Sequence, residues 1–250
     1  MMWFAPTWIL AKREMVRFFR QRSRVMGALL TPVLFWLFLG YGFGDSFRSE
    51  THQGGYQAYF FPGVLLMVLM FTSIFSMVSL IEDRQEGFLQ YVLISSCPRS
   101  SIVIGKVLGT SGIATIQALL VSFLGTFVGY DLGLWTILKV AVACALVSMN
   151  MSLFGFLLAW KARSIQGFHV LMNLVLMPMW LLSGAAFPME GAKGWIVWIM
   201  KVNPLTYGQR LLDGALTVWN PNAAAWVVAA NAIFFAACLV WVRERRRTML

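Results

Sequence analysis

The richest polar stretch of the sequence reads Glu82-Asp83-Arg84-Gln85-Glu86-Gly87-Phe88-Leu89-Gln90-Tyr91-Val92-Leu93-Ile94-Ser95, then Cys97-Pro98-Arg99. Its carboxylates have no catalytic frame around them. The sequence has no HExxH, no GxSxG and no paired carboxylates within an apolar run. The two histidines, His52 and His169, stand far apart, and Cys97, Cys144 and Cys238 form no CxxC or Cys/His cluster, so neither a metal site nor a disulfide is indicated. Gly105-Lys106-Val107 lacks the upstream glycine and the Ser/Thr of a Walker A loop. If nucleotide energy is used, another chain must supply it. Leu89, Val92 and Leu93 are spaced for one helical face, and Pro98 ends that element. A short helix with an acidic entry suits docking onto a partner; an ordinary polar loop accounts for the same residues.

The elements that must position this stretch are apolar and long. Of 250 residues 59% are hydrophobic and 12% are charged. A soluble domain carries about 25% charged residues, and a soluble fold this apolar could not cover itself with polar surface. Six runs are each long enough to cross about 30 Å of hydrocarbon. They are Val25–Phe43, Tyr59–Ile81, Ile102–Val128, Leu134–Trp160, Phe168–Phe187 and Ala223–Val242, with Pro32 and Pro178 inside two of them. The first follows a basic segment but is too long for a signal-peptide core and lacks a small-residue cleavage site, so it reads as a retained span.

The net charge of +10 is distributed by side. Lys12, Arg13, Arg17, Arg20, Arg22, Arg24, Arg84, Arg99, Lys106, Lys161, Arg163, Arg243, Arg245, Arg246 and Arg247 fall on one side of the spans; Arg48, Lys139, Lys193, Lys201 and Arg210 fall on the other. Fifteen against five places both termini in the cytoplasm, which requires an even number of spans. The positive-inside rule accounts for the basic residues, so no nucleic-acid partner is expected.

Ahead of the first span, Thr7 to Arg24 has helical amphipathicity. Trp8, Ala11, Met15, Phe18 and Phe19 share one face and Arg13, Arg17, Arg20 and Arg24 the other, with Arg22 inside the apolar arc. This predicts a helix in the headgroup region, arginines toward water and lipid phosphate. Between spans five and six, Gly194 to Lys201 is apolar but too short to cross, and Asn203-Pro204 separates it from a second short helix at Leu205–Leu216. A re-entrant hairpin and an amphipathic helix lying flat on the outer leaflet both fit.

No span carries an Asp, Glu, Lys or Arg near its centre, which argues against a proton-driven carrier. Gln117, Asn150 and Asn173 lie within spans and suit either interhelical hydrogen bonds or substrate contact. Gly105-x-x-x-Gly109, Gly125-x-x-x-Gly129 and Gly40-x-x-x-Gly44 permit close helix approach, including approach of a second copy.

Glu82 to Lys106, with its Glu82-x-x-x-Glu86-Gly87 core and closing Gly105-Lys106, resembles the coupling loop of type-2 ABC transporter (ABC-2) permeases, although Asp83-Arg84-Gln85 departs from its usual wording. Asn173 to Leu216 resembles that family's signature through Leu182-Ser183-Gly184-Ala185-Ala186-Phe187-Pro188, Trp195 and Asn203-Pro204-Leu205-Thr206-Tyr207. The drug-resistance and lipo-oligosaccharide export branch is the most similar.

The resemblance implies an all-α membrane protein. An amphipathic interfacial helix at residues 1–24 would precede a six-helix domain at 25–250, with a coupling loop at 82–100 and an outer re-entrant hairpin at 188–222 between spans five and six. It implies a bacterial plasma (inner) membrane and a half-transporter with no ATPase site of its own. Two copies would pair with two separate ATPase subunits that bind ATP and Mg, and the chain would hold no cofactor or metal. Glu82, Asp83, Arg84, Glu86, Gly87, Phe88 and Leu89 would make up the ATPase-coupling segment. Ser183, Gly184, Phe187, Pro188, Trp195, Asn203 and Pro204 would belong to an outer gate. A hydrophobic or amphipathic substrate (drug, lipid or lipid-linked glycan) would leave between the protomers along spans one, two and five. An ion-coupled carrier or channel, or a non-transporting scaffold, are the rival readings.

Overall fold

The computed structural model describes residues 4–43, 55–94, 97–189 and 192–244. Gly44, Arg48, His52, Ser95 and the basic run Arg245 to Arg247 lie outside the described residues, as do the side chains of Leu93 and Arg243. The helices are α1 (Phe4–Arg20), α2 (Arg22–Phe43), α3 (Gly55–Ser76), α4 (Val78–Gln85), α5 (Phe88–Ile94), α6 (Arg99–Ser122), α7 (Leu134–Lys161), α8 (Ile165–Trp180), α9 (Gly194–Val202), α10 (Pro204–Leu216) and α11 (Pro221–Glu244). A 3-10 turn at Phe123–Val128 extends α6, and a π-type segment at Leu181–Ala185 extends α8. Six continuous stretches are long and apolar enough to cross a membrane: Arg22–Phe43, Gly55–Gln85, Arg99–Val128, Leu134–Lys161, Ile165–Ala185 and Pro221–Val242. The six expected spans are therefore present.

The second span is the axis of the bundle. Every side chain from Phe60 to Met70 is buried, because α2, α6, α7 and α10 pack around α3. In lipid the hydrophobic effect does not pull one apolar helix onto another, so close packing and interhelical hydrogen bonds must hold them. Accordingly Thr72 donates to Gln117 between α3 and α6. Thr110 donates to Ser152 at 2.9 Å between α6 and α7. Asn231 on α11 donates to the Leu146 carbonyl at 3.1 Å. Gln117 is thus interhelical glue, whereas Asn173 is exposed on α8.

The second span breaks at Met77, just after Ser76 returns its hydroxyl to the Thr72 carbonyl at 2.6 Å. Back-bonding of that kind bends helices. The break re-aims α4, and with it the polar stretch. Glu86 and Gly87 then turn the chain into α5.

The N-terminal helix differs from its sequence pattern. Leu10, Ala11, Glu14 and Phe18 form its buried face, while Trp8 and Phe19 are exposed. The buried face lies along α6 because α6 presents Gly105 and Gly109 there. A Cβ on Gly105 would fall 2.9 Å from the Thr7 carbonyl oxygen, and one on Gly109 would fall 2.8 Å from that of Ala11. The close approach expected of Gly105-x-x-x-Gly109 therefore takes place within the chain.

Candidate functional site

Two constellations stand at opposite ends of the bundle. At the basic end, α1 brings Glu14, α4 brings Ser79 and Asp83, and α6 brings Lys106. Lys106 is 1% exposed, Glu14 3% and Asp83 0%. The Lys106 ammonium lies 2.8 Å from Glu14 Oε1, 2.6 Å from Asp83 Oδ2 and 3.0 Å from Ser79 Oγ. An ammonium has three N–H donors, and all three have acceptors here. Ser79 in turn donates to the other oxygen of Glu14.

Arg13 closes the cluster with a two-pronged contact to Asp83 at 2.7 and 3.0 Å. The hydrogen bond to this carboxylate holds the Arg13 guanidinium above its ordinary pKa. Arg17 adds a bond to Asp83 at 2.8 Å and pairs with Glu82 at 2.7 Å; Arg24 reaches Glu82 at 3.5 Å.

The remaining residues of the stretch divide by direction. Arg84 donates to the carbonyls of Ala159, Trp160 and Ala162 at 3.2, 2.9 and 2.8 Å. A cation at a helix C-terminus meets both unpaired carbonyls and the negative end of the macrodipole, so Arg84 ties α4 to the end of α7. Leu89 is buried, and Phe88 lies 4.0 Å beneath the Arg13 guanidinium. Glu86 has its side chain 62% exposed, with one carboxylate oxygen 3.8 Å from Arg17 Nη2. Tyr91 and Ile94 are 77% and 85% exposed on the outer face of α5, and sequence reasoning did not single them out. Their spacing from Glu86 and Gln90, on the side away from Leu89 and Val92, was the signal that could have found them.

At the other end, Gly184 adopts φ +87° inside the π-type segment, a conformation only glycine takes readily, and its carbonyl accepts from Tyr59 at 2.6 Å. Ser183 donates to the Trp180 carbonyl at 2.6 Å. Asn203 is the elbow between α9 and α10. Its amide donates to the Met179 and Leu182 carbonyls at 2.6 and 3.1 Å, and its Oδ1 accepts from Leu205 N at 3.0 Å as an N-cap, with Pro204 at the first helical position. Ser183, Gly184, Asn203 and Pro204 are thereby brought together. Phe187 and Pro188 are half-buried beyond them, and Trp195 is exposed on α9. Between α8 and α9 lies an open apolar groove of about 570 Å³ lined by Pro178, Met179, Leu182, Trp198, Ile199, Val202, Asn203 and Pro204. The exposed spans are α2, α8 and α11. The second span, enclosed by its own chain, offers no wall between Phe60 and Met70.

The profile of the ABC-2 type transporter family matches residues 6–217. The chain belongs to that family, and is the membrane-spanning subunit of an ABC transporter. Among its relatives, a protein named as a transport permease, ycf38, of Cyanophora paradoxa is 27% identical over 80% of this chain and 70% of its own length. One of the same name in Pyropia yezoensis is 23% identical over 84% and 74%. A protein named as a multidrug ABC transporter permease, YbhR, of Escherichia coli strain K12 is 27% identical over 70% of this chain and 50% of its own length.

Proposed function

We propose that the chain is half of a dimeric exporter driven by a separate ATPase, which binds the ATP and Mg. Both termini lie in the cytoplasm of a bacterial inner membrane, and the ATPase docks on α5. The observation that carries this reading is the two-sided build of the coupling segment. Asp83, Arg84 and Leu89 anchor it to α1, α6 and α7, while Glu86, Tyr91 and Ile94 face outward. An outward apolar pair beside a charge, on an element fixed by buried ion pairs, suits a partner that pushes on it. Of the residues expected to make this contact, Glu86 keeps that role, Gly87 turns the chain, and Glu82, Asp83, Arg84, Phe88 and Leu89 hold the segment in place.

The exposed faces of α2 and α8 are the surfaces on which a second copy would pair. The apolar groove beside α8 supports a hydrophobic or amphipathic substrate; apolar clefts of about 300–1,000 Å³ with few polar groups are usual ligand sites. The E. coli relative's name, a multidrug ABC transporter permease, supports drugs as the transported class. The α9–α10 pair, turned at Asn203-Pro204, is read as the re-entrant outer hairpin and part of the gate.

The test is co-purification of the full chain with its candidate ATPase, followed by ATP hydrolysis in lipid nanodiscs. Glu86→Arg and Ile94→Arg are expected to lower both assembly and turnover at least tenfold while the permease still folds. Undiminished assembly and turnover in both variants would refute docking on α5.

A further inference from the structure

The basic residues at the start of the chain divide into two sets. Arg13, Arg17 and Arg24 are spent on carboxylates of the chain itself, those of Asp83 and Glu82. Lys12, Arg20 and Arg22 are exposed, and among the described residues no carboxylate meets them. At 100° per residue, Lys12 and Arg20 lie within an arc of α1 of roughly 120° that also carries Trp8, Ile9, Val16 and Phe19. These four apolar side chains are between 44% and 64% exposed. The arc stands opposite Leu10, Ala11, Glu14 and Phe18, the face that packs on α6. Glu14 is the one acid of α1 and lies on that inner face, so the outer arc holds apolar groups and cations and no carboxylate.

Water is a poor neighbour for four large apolar side chains in one arc, and hydrocarbon is a poor one for the cations between them. A headgroup layer suits both. Apolar groups reach the acyl boundary there, and Lys and Arg bury their stems while their charged heads stay with the phosphates. The chain puts α1 at that depth, because Gln21 alone separates it from Arg22, where the first membrane-crossing stretch begins. We infer that the outer face of α1, with the first residue of α2, is a docking surface for anionic phospholipid. Trp8, Ile9, Val16 and Phe19 sit in the acyl boundary, and Lys12, Arg20 and Arg22 meet the phosphates. Charge selects the lipid: three cations and no acid favour a headgroup of net negative charge over a zwitterion, which brings a cation of its own. This narrows the sequence-based expectation, which turned Arg13, Arg17 and Arg24 outward as well. The inference rests on the proposed membrane placement but not on the ATPase.

The full chain, in a Cys97→Ser background, would carry a bimane fluorophore at Val16→Cys, one turn from both Lys12 and Arg20. It would be placed in nanodiscs of phosphatidylcholine mixed with phosphatidylglycerol, with a doxyl quencher on one lipid or the other at the same acyl carbon. Each cation is worth about fivefold in affinity at an anionic surface. Quenching by labelled phosphatidylglycerol is therefore expected to exceed that by labelled phosphatidylcholine at least fivefold at equal mole fraction, and the excess should shrink as salt is raised. Lys12→Gln, Arg20→Gln and Arg22→Gln together, at exposed positions where folding is not at stake, should bring the two lipids to equal quenching. Arg163→Gln, exposed between α7 and α8 at the same end of the bundle, should leave the excess unchanged. Equal quenching by the two lipids before substitution, an excess that survives the triple substitution, or one lost in Arg163→Gln alone would overturn the inference. So would a label that neither lipid quenches, the result expected if protein rather than lipid covers this face. No ATPase is present, so the outcome is separable from that of the docking test.

Discussion

Lys106 shows how a charge survives inside an apolar chain. Its three donors meet Glu14, Asp83 and Ser79, and Arg13 and Arg17 balance the remaining carboxylate charge. A buried pair of this kind is weak evidence for stability gained, because removing the ions from water costs several kcal/mol each. Breaking it is another matter, since the widowed charge stays buried. Lys106→Met should therefore destabilise the protein by about 3–5 kcal/mol, read from unfolding in detergent. Adding Glu14→Gln to that variant should recover part of the loss. A double variant less stable than Lys106→Met alone would argue against direct pairing.

At the scale of elements, the cluster makes α1, α4–α5 and one end of α6 a single body. The glycines of α6 set the spacing, so bulk there should pry α1 away. Gly109→Leu would collide with the Ala11 carbonyl and Glu14, and tryptic cleavage at Arg13 and Arg17 should accelerate by roughly tenfold or more as local opening becomes easier. Gly27→Ala, with nothing within 4 Å of the added carbon, should cleave at the wild-type rate. If Gly109→Leu also leaves cleavage unchanged, α1 is not held by this contact.

The spans themselves were legible in the sequence, because about 20 consecutive apolar residues have few other uses. The short helices around Asn203-Pro204 were legible for a similar reason, a breaker between two apolar pieces. The partner of Gly105-x-x-x-Gly109 was not: a small-residue stripe states that something comes close, without naming it. Nor was the pairing of Glu14 with Lys106, 92 residues apart, visible in the local pattern, where Lys106 counted toward orientation and the close of the coupling loop but had no partner named. The buried face of α1 was legible only in part: Ala11 and Phe18 belong to the aromatic face read from the spacing, whereas Leu10 and Glu14 are selected by packing against α6.

For the whole molecule, the two ends differ in kind. One end is a charged, rigid junction with an outward helix; the other is a set of short helices held by single side chains around an apolar groove. An ATPase acting on α5 would move the first as a body and thereby tilt α6 and α7 against the second. The most direct test is a distance measurement by pulsed electron spin resonance on the full chain bound to its ATPase in nanodiscs. Spin labels would be placed through Trp8→Cys with Gln85→Cys, and separately Gln85→Cys with Trp198→Cys, in a Cys97→Ser background; Gln85 is exposed at the end of α4. Trapping the complex with ATP and vanadate should leave the Trp8–Gln85 distance unchanged and shift the Gln85–Trp198 distance beyond its resting distribution. A Gln85–Trp198 distance that stays fixed while the complex hydrolyses ATP would contradict the account.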